Sequence, residues 1–178
     1  MHFKKRLANL CKAALIVAAT GISATYAQNL TSKGTDFYAT FTQNYQTSVQ
    51  ALELFVSSTK AASGTIEFLE TGTSQIFTTM PNQTLRIQAP SSSQLTSNMV
   101  VEKKGIHVKT DKEISLYGLS NELNTTDAFL SLPTTALGSS YRVVSYSPTS
   151  GFKSTIGIVA TKDGSNITIT PTRAVLGN

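Results

Sequence analysis

An all-β fold, an antiparallel sandwich of short strands, is predicted by three observations. Runs rich in β-branched and aromatic residues recur about every ten residues, Gly, Pro, Asn and Ser punctuate them, and apolar side chains alternate within them. Ser and Thr fill most of the polar positions, and only 14% of the 178 residues are charged.

The first predicted strand is 34–41 (GTDFYATF), with Phe37, Ala39 and Phe41 on one face. The second, 51–57, places Leu52, Leu54 and Val56 on one side and Glu53 and Phe55 on the other; its β-branched continuation favours a strand over a helix. A turn at Ser63-Gly64 precedes two hairpin arms, 65–69 and 75–79, with Gly72 between them. Met80-Pro81-Asn82 interrupts the pattern because proline cannot donate to a ladder, and 84–89 resumes it. Residues 90–98 (PSSSQLTSN) form the most loop-like segment and are expected to cross between sheets.

Short runs at 99–101 and 105–109 follow, then a turn at Asp111-Lys112 and a strand at 114–119, apolar on both faces and therefore central. A polar loop is expected over 120–127, and strands over 128–132 and 141–146. The arms 155–160 and 166–170 flank Asp163-Gly164, a dipeptide suited to the positive φ of a tight hairpin turn.

The first 27 residues read as a leader. A basic start (MHFKKR), an apolar run over 13–22 and the small-residue site Thr25-Tyr26-Ala27 have the layout of a secretory signal peptide cleaved after Ala27. The apolar run, about ten residues, falls short of the roughly twenty that span a bilayer. Residues 28–178 are then expected to form a single sandwich-like domain, exported to the periplasm, the outer surface or the medium, with no membrane attachment after cleavage. Removing the leader takes four of the fifteen Lys plus Arg with it. Eleven remain against ten Asp plus Glu, so the formal charge falls from +5 to about +1. Nucleic acid is excluded as a partner, because phosphate binding needs clustered positive charge. The sole cysteine, Cys11, also lies in the leader, so a disulfide-free core must hold the exported chain.

Catalytic chemistry has little to work with. Downstream of the leader the single histidine is His107, placed by alternation on one face of a regular strand, and no G-x-S-x-G elbow accompanies it. The carboxylate pairs Glu67 with Glu70, Asp111 with Glu113, and Glu122 with Asp127 all fall at turns, where solvated carboxylates are the ordinary case. Asn121, Glu122, Asn124 and Asp127 offer oxygen donors in one loop, but their spacing fits no EF-hand, and no metal, cofactor or nucleotide is expected. The same four residues form the candidate contact loop.

The ordered segments 34–41, Asn44-Tyr45, 54–58, 105–108 and 115–118, and above all 127–143 (DAFLSLPTTALGSSYRV), resemble the N-terminal domain of the IgGFc-binding protein family, with 158–161 and 166–171 continuing the pattern. The resemblance implies a secreted, non-enzymatic, β-rich module of the kind found in mucus-associated animal proteins and in Bacteroidetes-type bacterial surface proteins. It also implies that the family's domain extends beyond Pro171, so that residues 28–178 are an N-terminal part of a larger unit. The expected function is adhesion or recognition of a protein or glycan at the cell surface. The alternatives are a structural spacer that self-associates through edge strands, and a secreted hydrolase using Glu122 and Asp127.

Overall fold

A computed structural model describes residues 31–44, 49–145 and 154–172. Seven antiparallel strands form one curled sheet: β1 (Gly34–Ala39), β2 (Val49–Ser57), β3 (Ala62–Phe68), β4 (Thr73–Thr79), β5 (Thr84–Ala89), β6 (Ile106–Glu122) and β7 (Thr126–Ser131). The described residues contain no α-helix, only short 3-10 turns at Ser91–Ser93 and Thr134–Ala136. The all-β expectation therefore holds, realised as a sheet that curls about one long strand.

That strand is β6. Its first part pairs with β1 and β3, with Val108 opposite both Phe37 and Ile66. Its second part pairs with β2 and β7, with Leu116 opposite both Val56 and Ser131. Beyond these, β4 continues from β3 and β5 from β2. The change of partners occurs at residues 110–113, where four residues of β6 lie between Lys109 and Ile114 against one of β1, Thr35, between Asp36 and Gly34. The surplus, half-buried at Thr110 and exposed from Asp111 to Glu113, bends the strand, as a β-bulge does. Asp111-Lys112 was expected to be a turn between two strands; it is instead this corner within one. Alternation survives the bend because Val108 and Ile114 are six residues apart, an even number, so Ile106, Val108, Ile114 and Leu116 all point inward.

Both parts of the curled sheet feed one core. Phe37, Ala39, Ile66, Phe68 and Phe77 come from one side and Leu52, Leu54, Val56, Ile87 and Ala89 from the other. Phe41, just past β1, packs edge-on against Phe129 of β7 at 5.4 Å between ring centres. The loop from β5 to β6 crosses from one part of the sheet to the other, as its composition suggested.

Several sequence expectations are corrected. Ser63-Gly64 is not a turn but lies inside β3, where Gly64 stands between Phe77 and Thr110. A Cβ at Gly64 would lie 2.4 Å from the Lys109 carbonyl oxygen, so glycine is there to admit a neighbouring backbone, not to reverse the chain. The expected polar loop 120–127 shrinks to a tight turn, because β6 runs to Glu122 and β7 begins at Thr126. Residues 99–101 are an exposed loop with Met99 at φ 56°, and residues 141–145 form no strand; Tyr146 lies outside the described residues. Asp163-Gly164 does turn, with Gly164 at φ 70°, but its flanking arms join no ladder among the described residues. Alternation alone selects an extended conformation; only a neighbouring edge makes it a strand of a sheet.

The close approach at Gly64 yields a measurable consequence. Gly64→Ala is expected to lower stability in urea by about 1–3 kcal/mol, because backbone atoms cannot yield as a side-chain tip would. The exposed neighbour substitution Ser63→Ala is expected to stay within about 0.5 kcal/mol.

Candidate recognition surface

The four residues of the candidate contact loop are placed at the β6–β7 turn but do not converge. Asn121 and Glu122 are consecutive on β6 and so point to opposite faces; Glu122 is buried on the inner side. Asn121 Oδ1 accepts a hydrogen bond from the Thr126 hydroxyl (3.3 Å). Asn124 sits in the turn, and Asp127 pairs with Ser120 on the exposed strand β7. Among the described residues, no group of three or more His, Cys, Asp or Glu side chains is arranged to hold a metal ion.

This turn belongs to a larger loop cluster. The chain leaving β1 runs along it: the Leu95 amide donates to the Phe41 carbonyl (2.8 Å), and Gln94 Nε2 donates to the Thr42 carbonyl (3.4 Å). Two residues on, Asn44 reaches the β6–β7 turn. Its Nδ2 donates to the Ser120 carbonyl (3.4 Å) and its Oδ1 accepts from the Thr125 hydroxyl (2.7 Å). Residues 41–44 thus bind the 94–104 loop and the 122–126 turn into one end of the molecule.

The 94–104 loop is closed at its base by one carboxylate. Glu102 accepts hydrogen bonds at Oε2 from the backbone amides of Thr96 (3.0 Å) and Ser97 (3.1 Å), and its Oε1 meets Lys104 Nζ at 2.8 Å. Lys104 also donates to the Thr96 hydroxyl (2.8 Å). The Lys104 bond, followed by the two amide bonds, pushes the Glu102 carboxyl down to about 2. The clamp closes the base of a loop whose tip is Met99, Val100 and Val101, all exposed, Val101 at 98%. Three consecutive exposed apolar residues thus stand at the tip of a loop whose base is closed by side-chain bonds.

His107 occupies the opposite face of β6 from the core. Its Nε2 lies 2.7 Å from Asp36 Oδ1, its Nδ1 lies 3.8 Å from Glu67 Oε2, and its ring stacks on Tyr38 at 4.2 Å. Burial, joined by the negative charges of Asp36, Glu67 and Asp163, raises the Tyr38 phenol above its ordinary value. The Thr134 hydroxyl donates to Asp36 Oδ2 (3.4 Å), so the hydroxyl meets the carboxylate and not the imidazole. That order cannot pass a proton from hydroxyl to imidazole as a nucleophilic relay requires, and the group instead ties β1, β3 and β6 together. The other carboxylates have structural surroundings. Asp111 Oδ1 accepts the Ser63 amide (2.7 Å), and Glu53, buried on the central strand β2, is paired with Arg86. Neither Glu53–Arg86 nor the Glu102 clamp was read from the sequence: the first rests on the pairing of β2 with β5, the second on how the 96–104 loop folds back on itself. Ala27 lies outside the described residues. Among those described, no helix is long and apolar enough to cross a membrane.

Residues 127–178 match the family model described as IgGFc binding protein. The match includes 127–143, where the sequence resemblance was strongest, and covers less than a third of the chain. No curated protein and no solved structure matches the chain.

The clamp predicts a pH dependence. Because the folded Glu102 value lies below 4.5, its contribution is complete above about pH 4.5 and is lost as the pH falls through about 2. Hydrogen exchange at the Thr96 and Ser97 amides, corrected for intrinsic rates, is expected to lose its protection near pH 2. In Glu102→Gln the protection should be weakened already at neutral pH.

Proposed function

We propose that the chain is an exported, non-enzymatic recognition module that binds a protein partner through the loop cluster formed by residues 41–44, 94–104 and 122–126. The observation that carries this reading is the match of residues 127–178 to a family described by its binding of immunoglobulin Fc. The fuller resemblance, to the N-terminal domain as it occurs in Bacteroidetes-type surface proteins, belongs to the same proposal, as do the leader ending at Ala27 and an extracellular or cell-surface location.

Protein is favoured over glycan as the partner by the character of the loop tip. Met99, Val100 and Val101 offer apolar area with no hydrogen-bonding side chain, which suits the water-excluding centre of a protein interface. In this reading the contact-loop residues Asn121, Asn124 and Asp127 add polar groups at the β6–β7 turn, which Asn44 ties to the same loop cluster.

Binding of the purified chain to immobilised immunoglobulin Fc, whole immunoglobulin and mucin, alongside a glycan array, tests the proposal. Saturable binding to a protein is expected, weakened at least about tenfold by Val101→Asp, a loss of roughly 1.4 kcal/mol. Ile76→Asp, on the exposed side of β4 away from the loops, should leave it unchanged. Binding no better than that of heat-denatured chain, or binding confined to glycans, would overturn the reading.

A further inference from the structure

The corner in β6 forms one wall of a cleft of about 550 Å³, a volume within the range of small-ligand pockets. Lys33 just before β1, Lys60 in the β2–β3 turn and Lys112 of the corner itself all line it. None of these three ammonium groups is ion-paired among the described residues. Hydroxyls line the cleft too: Ser57 of β2 stands opposite both Thr84 of β5 and Ser115 of β6. Two carboxylates share the lining with different commitments. Asp111 already accepts the Ser63 amide (2.7 Å), whereas the Glu113 carboxylate has no hydrogen-bond or ion-pair partner among the described residues. The cleft adjoins the outer face of the sheet. Two residues along each strand from the hydroxyl row, Arg86, Phe55 and Tyr117 stand side by side on β5, β2 and β6. Phe55 is half-buried and Tyr117 is 45% exposed, so aromatic surface borders the hydroxyls, and Arg86 is fixed beside it by its pairing with the buried Glu53.

A ligand that matches this surface carries hydroxyl groups for Ser57, Thr84, Ser115 and Glu113, an anionic group for the lysines and an apolar ring face for Tyr117. Hydroxyl to carboxylate and ammonium to anion are the stronger, charge-assisted hydrogen bonds. The C–H face of a pyranose ring suits the electron-rich face of an aromatic ring. We infer that the corner cleft and the adjoining Phe55–Tyr117 surface bind a saccharide bearing a carboxylate or sulfate group. Three ammonium groups against two carboxylates leave a surplus of one positive charge. That surplus fits a sparsely charged sugar rich in hydroxyls, and not a strand with a phosphate at every unit, whose affinity depends on neutralising many charges.

The inference is independent of the recognition reading, whose loops lie at the other ends of β1 and β2. The purified chain is titrated with trigalacturonic acid and with a sulfated chondroitin disaccharide, and amide chemical shifts are followed. Saturable binding of at least one is expected, with the shifts centred on residues 57–60 and 111–117; the pair of probes tells a carboxylate ligand from a sulfate one. Lys60→Gln with Lys112→Gln should weaken binding at least about tenfold, and Tyr117→Ala at least about threefold. Both variants should stay folded by circular dichroism, because the three side chains are exposed. Val101→Asp, at the loop tip, is the control and should leave saccharide binding intact. The inference is overturned if neither acidic sugar binds, if uncharged maltotriose or a short oligothymidylate binds as tightly as they do, or if either variant keeps the affinity of the unsubstituted chain.

Discussion

One constraint organises this molecule: β6 must keep the same face inward while changing both of its neighbours. A period-two strand that slipped by a single residue at the corner would turn Ile114 and Leu116 to solvent and bring Ser115 and Tyr117 into the core. The surplus at 110–113 avoids this by preserving parity while breaking register. Thr110, Asp111, Lys112 and Glu113 suit that role, since none demands burial and the Asp111 carboxylate caps a backbone amide of β3 at the bend. One uninterrupted strand thereby serves as the middle of both parts of the sheet, and a single core forms where they curl together.

The corner also decides where loops gather. Because β6 bends, its beginning at Ile106 and its end at Glu122 both lead away from the corner, toward the side where β1 runs out and the β5–β6 crossing passes. Residues 41–44 join the two there through backbone pairing with Gln94 and Leu95 and through the Asn44 side chain. A loop long enough to cross between the parts of the sheet would be expensive to order if left free. Glu102 reduces that cost locally, gathering two amides and an ammonium over a short stretch of chain. The result is a surface positioned by strands but made of loops, the arrangement in which variation at the tip leaves the core undisturbed.

Much of the body was legible in sequence. The inward sets Phe37/Ala39/Phe41 and Leu52/Leu54/Val56, the hairpin about Gly72 and the strand at 84–89 all follow from alternation and turn residues, because local pattern and tertiary packing agree there. Failures cluster where a residue's meaning is set by a neighbour distant in sequence. Gly64 looks like a turn residue until β6 is laid beside it, and Asp111-Lys112 looks like one until β6 is seen to continue. Glu53 reads as an ordinary outward polar residue, yet its strand is central and Arg86 covers it. Of the surface proposed for contact, the polar turn is visible in sequence as a run of Asn and acid side chains. The apolar tip at 99–101 resembled a short strand, and nothing local reveals that Glu102 will close a loop beneath it.

The distribution of apolar residues separates stability from recognition. The buried hydrophobic cluster runs from Phe37 to Leu116; from the family-matched stretch Phe129 packs against it in part, and the fully buried Pro133 bridges to Phe37. The same stretch nevertheless carries Leu130, Leu132, Tyr141, Val143, Val144 and the four isoleucines of the arms, all exposed. Burial of a Leu, Ile or Val side chain is worth about 1.5–3 kcal/mol, so a segment with this composition leaves a large stabilisation unclaimed within the described chain. The body draws on that segment only for β7, Phe129 and Pro133, and leaves these other side chains outside the core.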